Sequence, residues 1–342
     1  MRRALLRWLA LFVACAALHA VAEPVTPPEH RRGVEQTFLT YPEWFLVFSP
    51  AEYAHYVRDH APDGFPFWGH VGQFWDGYAA VTRASHARGD DLNPGYHLMI
   101  MVIGTSTSVE YAIRSAYESL LGRLSAAMAG ASTPEDRFGA HVAQDYVDFI
   151  RVLPWYEYDF TKQLKALWTE VPWSGGHMAR KWERRFALST EYGIKALYGK
   201  LIKLGTKSIY ETPLLVTAVV TDRAPHPDAR LPDLKLLRTL ADGGGLATIP
   251  RYDAFMTYAQ GLAAQGVEFR EIAGNDSIIL VSLIGPRDWT PQTGVERRLL
   301  EQAILTDAQR KRVVATVQVR QLGAALREWA HGGVQVEHVF DY

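Results

Sequence analysis

The pattern of apolar and polar residues is helical over most of the first 210 positions. Its longest periodic segment covers residues 95–129, where mainly apolar side chains recur at steps of three and four residues, namely Leu98, Val102, Thr105, Val109, Ala112, Ala116, Leu120 and Leu124. The uncharged run Leu98–Val109 is twelve residues long, which is short for a membrane span. The segment therefore predicts a buried core helix, with a membrane-embedded or interfacial helix as the alternative.

Capping-box patterns predict where other helices begin. Thr40–Glu43, Ser49–Glu52 and Thr133–Asp136 each place a hydroxyl three residues before an acidic side chain, so that the two can satisfy orphan amides at a helix N-terminus. The third pattern predicts a helix over about 134–151. With the periodic segment, these signals predict a helical domain over residues 34–210.

The last part of the chain carries a strand-helix-strand pattern twice. Residues 247–272 and 315–339 each open with a β-branched strand, continue as an amphipathic helix, and reach Gly266 or Gly333 before an alternating strand. Two such units in tandem resemble the ferredoxin-like sandwich, in which one four-stranded antiparallel sheet carries two helices on one face. The resemblance concerns the fold alone, because that fold hosts many unrelated functions.

The predicted fold class is α+β, with an aromatic-rich helical N-terminal domain and a ferredoxin-like C-terminal domain over residues 211–342. A further strand is predicted at 277–284, where the residues read SIILVSLI, and a short helix at 296–304.

One helical segment occurs twice. Residues 108–121 read SVEYAIRSAYESLL and residues 189–202 read STEYGIKALYGKLI, with six identical positions. One interpretation is a pair of facing helices that present Glu110 and Glu191 to an interior site, as in bundle metal centres. The other is that Glu110–Arg114 and Glu191–Lys195 are ordinary ion pairs on the surfaces of two unrelated helices.

A second similarity adds two histidines and several aromatic residues. His70 and His177 each lie five residues before a tryptophan and follow a turn rich in Pro, Trp and Gly. Two imidazoles and two carboxylates form a reasonable ligand set for zinc, iron or manganese, although capping or core histidines are the simpler interpretation. The candidate metal ligands are His70, Glu110, His177 and Glu191, and the candidate ligand-binding residues are Trp68, Trp75, Tyr111, Trp182 and Tyr192.

Other motifs point to no chemistry. The sequence has no phosphate-binding loop, no dinucleotide glycine fingerprint and no nucleophile elbow. The hydroxyls of Gly104–Ser108 are expected to bond back to the preceding helical turn or to allow another helix to approach closely. The basic run Arg180-Lys181 with Arg184-Arg185 is expected to be a solvated helix face.

The N-terminus has the layout of a secretory signal peptide. Arg2 and Arg3 precede the apolar run Trp8–Leu18, and Ala20-Val21-Ala22 offers a small-residue cleavage site. Cleavage after Ala22 is favoured over a retained anchor, and residues 23–33 are expected to be a linker. The single cysteine, Cys15, lies inside this segment, so no disulfide is expected in the mature chain.

These signals predict an exported protein, in the periplasm or at the outer face of the inner membrane. The net charge of −1 provides no field that would attract nucleic acid. The preferred function is a binding or assembly protein of unknown ligand, with a membrane surface and a protein partner both open. The alternative is a metal- or haem-dependent enzyme that uses a His/Glu site in the helical domain; the cofactor stays unknown.

Overall fold

The computed structural model describes residues 25–33, 38–206, 215–226, 228–291 and 294–340. The predicted signal peptide and the boundary predicted near residue 210 lie outside these ranges. The described chain is α+β, as expected: helices occupy it up to residue 206, and antiparallel sheets dominate the rest.

The helical part follows the predicted apolar periodicity. Its helices are α1 (Thr40–Tyr56), α2 (Phe67–Arg88), α3 (Pro94–Tyr117), α4 (Arg123–Ala129), α5 (Pro134–Ile150), α6 (Phe160–Thr169) and α7 (Met178–Thr206). A π-helical turn, Glu118–Gly122, joins α3 to α4, so the predicted segment 95–129 is one almost continuous helical rod.

The predicted helix starts are confirmed only in part. Thr133 and Asp136 form the reciprocal capping box at α5. The predicted start at Ser49 is wrong, because α1 runs through this position with Pro50 inside it. The Ser49 hydroxyl instead lies 2.7 Å from the Tyr111 hydroxyl, so a tertiary contact uses the group that the pattern assigned to a cap.

The sheet part consists of two tandem units with the same topology. Its strands are β1 (Val216–Thr221), β2 (Lys235–Thr239), β3 (Gly245–Pro250), β4 (Phe269–Ile272), β5 (Ile278–Pro286), β6 (Val295–Ile304), β7 (Asp307–Gln318) and β8 (Gln335–Phe340). Helix α8 (Asp253–Ala264) joins β3 to β4, and α9 (Leu322–His331) joins β7 to β8. The strand orders are β2-β3-β1-β4 and β6-β7-β5-β8, with all neighbours antiparallel.

The two predicted strand-helix-strand units are therefore present, and each ends its helix at a glycine with positive φ, Gly266 at +76° and Gly333 at +68°. The ferredoxin-like arrangement is not confirmed, because the units form two four-stranded sheets in the described chain. The helix predicted at 296–304 is wrong. These residues form β6, which pairs along β7, so the neighbouring strand overrides a local pattern that suits a helix.

Each face of the second sheet packs against a different partner. One face shares a core with α8, α9 and the first sheet, and Val281, Leu283 and Trp329 are buried there. The other face is covered by α1, whose Tyr41 and Phe48 share a core with Leu280, Val314 and Phe340, and by α2, which contributes Val81 and Ala84 to the same core. Alternation along β5 and β7 explains the two faces, because successive side chains point to opposite sides of a strand.

The helical part contains an internal duplication: α5, α6 and α7 repeat α1, α2 and α3. The indole nitrogen of Trp75 donates to the Ser108 hydroxyl at 3.0 Å, and that of Trp168 donates to the Ser189 hydroxyl at 2.9 Å. The residues of α5 and α6 follow their counterparts in α1 and α2 by 93 positions, and those of α7 follow α3 by 81.

Aromatic contacts repeat with the same geometry in both units. Tyr53 meets Phe65 edge-on with ring centroids 5.1 Å apart, and Tyr146 meets Tyr158 in the same way at 5.3 Å. The corresponding residues are Thr40 and Thr133, Glu43 and Asp136, Tyr53 and Tyr146, Phe65 and Tyr158, Phe67 and Phe160, Trp75 and Trp168, Ser108 and Ser189, Glu110 and Glu191, Tyr111 and Tyr192, and Arg114 and Lys195.

Candidate functional site

The repeated helical segments do face each other, and their charged residues form a closed quartet. The Lys195 ammonium lies 3.1 Å from a Glu110 carboxylate oxygen and 2.8 Å from a Glu191 oxygen. The Arg114 guanidinium lies 3.6 Å from Glu110 and 3.8 Å from Glu191. Because the Glu110–Lys195 contact is the counterpart of Glu191–Arg114, the pairing of α3 with α7 is antiparallel and approximately two-fold symmetric at this point.

The charges of this quartet balance, which decides its chemistry. Burial alone would raise the pKa of Glu191, but the attraction of Arg114 and Lys195 outweighs it and lowers the pKa to about 2. Burial would lower the pKa of Lys195, yet Glu110 and Glu191 hold it above its usual value. Both carboxylates already have cationic partners, so a metal ion would have to displace them. The quartet is best explained as an ion-pair network that joins the two units.

This quartet predicts a specific pH dependence of stability. Because folding lowers the pKa of Glu191 from 4.5 to about 2, its contribution is present above pH 4.5 and is lost as the pH falls toward 2. We expect Glu191→Gln to be less stable than the wild type at neutral pH and to lose less stability over that range. Urea unfolding at a series of pH values measures this difference, and parallel curves for the two proteins would contradict it.

The two candidate histidines lie in different surroundings, one buried and one exposed. His70 is fully buried on α2, where it stacks on Phe65 and its Nε2 lies 3.6 Å from a Glu52 oxygen. Burial, helped by the charge of Arg312, lowers the pKa of His70 to about 3, so the ring is neutral near pH 7. His177 is exposed just before α7 with φ of +60°, about 21 Å along the helix from Glu191.

The predicted metal set is therefore not brought together, apart from Glu110 and Glu191. Within the described ranges, no group of three or more His, Cys, Asp or Glu residues could hold a metal ion. The similarity around the two histidines is not part of the duplication either. By position, His70 corresponds to Gln163, whose amide lies 3.2 Å from Asp145 as His70 lies near Glu52.

The candidate aromatic residues divide between the core and the surface. Tyr111 and Tyr192 are buried equivalents that pack on Phe67 and Phe160. Trp75 is half-buried and bonded to Ser108, as noted above. Trp68 and Trp182 are exposed, but on α2 and α7 respectively. The five residues do not line one pocket.

The basic run on α7 is buried, which corrects the prediction of a solvated face. Lys181 donates to Glu135 at 3.1 Å, and Arg185 donates to the other oxygen of Glu135 at 2.9 Å. Glu135 and its two cations are each no more than 1% exposed. Arg180 reaches Asp136 at 2.7 Å. The four cations are therefore buried in ion pairs with acidic partners on α5 and beside α4.

A second buried ion cluster joins the helices to the second sheet. Arg312 of β7 donates to Glu337 of β8 at 2.6 and 2.7 Å, and to Glu52 of α1 at 2.8 Å. Arg312 is fully buried, and it lies over the rings of Phe45 and Phe48. Beside it, His338 of β8 stacks on Trp44 with centroids 3.7 Å apart. This cluster fixes how the helical part sits on the sheet.

The apolar stripe of α3 and α4 lies on the outside of the protein, so the prediction of a core helix is wrong for this face. Leu98, Ile113 and Leu120 are 66%, 66% and 71% exposed. The side of α3 that points inward instead buries Ile100, Gly104 and Tyr111. At Gly104 an added Cβ would lie 2.2 Å from the Phe74 ring, and the Ser108 hydroxyl bonds back to its carbonyl, as predicted.

Helix α7 adds a matching stripe that the sequence analysis missed. We call the two stripes together the apolar face; its exposed large residues are Leu98, Met101, Val102, Val109, Ile113, Leu120, Leu121, Leu124, Met128, Trp182, Phe186, Ile194, Leu197, Tyr198, Leu201 and Leu204. The sequence repeat contains the signal that could have predicted this second stripe. Met101, Ile113 and Leu120 correspond to Trp182, Ile194 and Leu201 at the 81-residue offset, so both copies keep apolar side chains at outward positions.

The apolar face is almost without charge. Among the described residues of 94–129 and 178–204, Arg123 and Lys200 are exposed and carry a formal charge, and the side chains of Glu110 and Lys203, both in ion pairs, are 40% and 38% exposed. At 1.5 Å per residue the longer rod is about 54 Å long. Two adjacent stripes of this length form a much larger apolar patch than the few hundred Å² usual for a soluble monomer, which marks an interaction surface. No helix in the described ranges has the length and apolar content of a membrane span.

Comparison with protein-family models, with curated proteins and with solved structures finds no match to this chain.

Proposed function

We propose that this chain is an exported binding or assembly protein that attaches to the surface of a lipid bilayer through its apolar face. The apolar face is the single observation that carries the proposal. Helices with one apolar side and few charges on it lie in the plane of the membrane interface. Their apolar side is buried to a depth of about 5–10 Å, at the boundary between the headgroups and the acyl chains.

The distribution of charge favours lipid over water as the medium at this face. Exposed charges are few on it, although charged side chains (Asp, Glu, Lys and Arg) make up 21% of the chain. Three cations of α7, namely Lys195, Lys181 and Arg180, pair instead with Glu110, Glu135 and Asp136. An outer face with few charges, and cations that are paired with carboxylates, suit a bilayer interface because charges are costly in hydrocarbon.

The duplication supports the same interpretation. Ile113 and Ile194 are equivalent positions on α3 and α7, and both are more than 60% exposed. The equivalent surfaces that cover the second sheet have diverged: Phe48 of α1 is buried there, whereas its counterpart on α5 is the exposed His141. The apolar face is thus shared by the two units, while contact with the sheet belongs to one.

Vesicle flotation tests this proposal. The chain from Glu23 onward, which contains all the described elements, is expected to float with neutral phosphatidylcholine vesicles. Ile113→Glu with Ile194→Glu should weaken binding by at least tenfold, because each isoleucine that leaves the interface forfeits about 1.5–3 kcal/mol of burial. Leu237→Glu, on an exposed leucine of β2, is the control and should bind as the wild type does.

Failure to float would contradict bilayer attachment. If the wild type then sedimented as a dimer that the Ile113/Ile194 variant lacks, a second copy of the chain would be the occupant of the apolar face instead of lipid.

A further inference from the structure

A groove opens on the apolar face between the rod and α7. The rod contributes Tyr117, Leu121, Leu124 and Met128, and α7 contributes Ala179, Trp182 and Phe186. Its volume is about 440 Å³, within the range of 300–1,000 Å³ (order of magnitude) typical of small-molecule sites. Its accessible wall is almost entirely apolar.

The polar groups beneath this groove are already paired. The Ser125 hydroxyl donates to a Glu183 oxygen at 2.8 Å, and Arg180 donates to that oxygen at 3.1 Å and to the Gly122 carbonyl at 3.0 Å. Burial would raise the pKa of Glu183, but its bonds to Arg184 and Ser125 hold it below the usual value, so the carboxylate stays ionised and engaged. The floor therefore has no free group for a polar ligand.

The π-helical turn and an ion pair lie next to this groove. Arg184 of α7 donates to the two oxygens of Glu118 at 2.9 and 3.0 Å, and an added Cβ at Gly122 would lie 2.1 Å from a Glu118 oxygen. Glycine at this position therefore leaves room for the ion pair that joins the rod to α7.

We propose that this groove holds one acyl chain of a phospholipid taken from the bilayer. This inference rests on the proposed attachment, because the groove opens directly onto the apolar face. The apolar wall offers water few hydrogen-bond partners, and alkyl groups can cover it without leaving a polar atom unpaired. The protein would then keep one lipid after it leaves the membrane.

Native mass spectrometry tests the inference. The chain from Glu23 onward, re-isolated from phosphatidylcholine vesicles without detergent, should carry one phospholipid. Ala179→Trp places an indole at the groove wall and should reduce the lipid-bound fraction at least tenfold, while flotation with vesicles is retained. Because Ala179 is exposed, this variant should fold; Leu124→Glu, also at an exposed wall position, provides a second test.

A soluble probe separates this inference from the proposed function. Palmitoyl lysophosphatidylcholine, below its micelle-forming concentration, should bind the wild type one to one and should also bind the Ile113→Glu/Ile194→Glu variant that no longer floats. If the lysolipid bound but the wild type did not float with vesicles, the groove would still be an acyl-chain site. Bilayer attachment would then no longer explain where its lipid comes from. A chain with no bound lipid in either experiment, or with equal binding in Ala179→Trp, would overturn the inference.

Discussion

Replacement of Glu135 by alanine is expected to lower the free energy of unfolding by about 3–5 kcal/mol, because it leaves two buried cations without their anion. Lys181 and Arg185 lose the carboxylate that lies between them, and neither side chain can reach water without opening the contact of α5 with α7. Arg185 keeps its bonds to the carbonyls of Leu167 and Val171, so the lysine is expected to contribute more of the loss.

Urea unfolding followed by circular dichroism measures this effect. Glu157→Gln is the matched control, since Glu157 pairs with Lys203 at 2.9 Å on the surface, and its loss should cost less than about 1 kcal/mol. Equal costs for the two substitutions would show that the buried network contributes no more than a solvated pair.

Arg312→Met is expected to lower the free energy of unfolding by a similar amount, about 3–5 kcal/mol, because it leaves buried carboxylates without their cation. It removes a cation that Glu52 and Glu337 share at the junction of the helices with the second sheet. Burial raises the pKa of Glu52, and Arg312 works against that rise, so Glu52 should take up a proton more readily in the variant. The docking of α1 on the sheet should loosen accordingly.

A double-mutant cycle isolates this interaction. Addition of Glu337→Gln to Arg312→Met should cost less than the sum of the single substitutions by about 0.5–3 kcal/mol, because the second change removes one of the stranded charges. Urea unfolding of the four proteins gives the coupling. Additive costs would contradict the assignment of Arg312 as the common partner of both carboxylates.

Local patterns predicted the elements of this fold well where the pattern and the neighbours agree. Thr133-Pro-Glu-Asp136 predicted the start of α5 because a capping box is satisfied within four residues. Gly266 and Gly333 predicted the ends of α8 and α9 because few other residues adopt positive φ easily. In contrast, 296–304 was predicted as a helix and is a strand, because these residues form a hairpin with β7, which begins at Asp307, and this cross-strand pairing overrides the helical pattern.

The candidate site was predictable only in fragments. The repeated Glu-Tyr segments were recognised, and their pairing across α3 and α7 follows the similarity of 108–121 to 189–202. The rest of the duplication was not recognised, because its offset changes from 93 to 81 residues between α2 and α3 and few identities survive outside the aromatic positions. At the 93-residue offset His70 corresponds to Gln163 and not to His177.

By itself, the sequence determined the class of fold, the helical period of residues 95–129 and the two strand-helix-strand units, because capping, glycine conformation and periodicity act within a few residues. Only the tertiary structure decided which helix faces are exposed and which are buried. The stripe through Leu98 and Leu120 turned out to face outward, and Lys181 and Arg185 turned out to be buried. A helical period indicates which side chains share a face of the helix. Whether that face is buried depends on partners such as Glu135, which lies 46 and 50 positions from these two cations in the sequence.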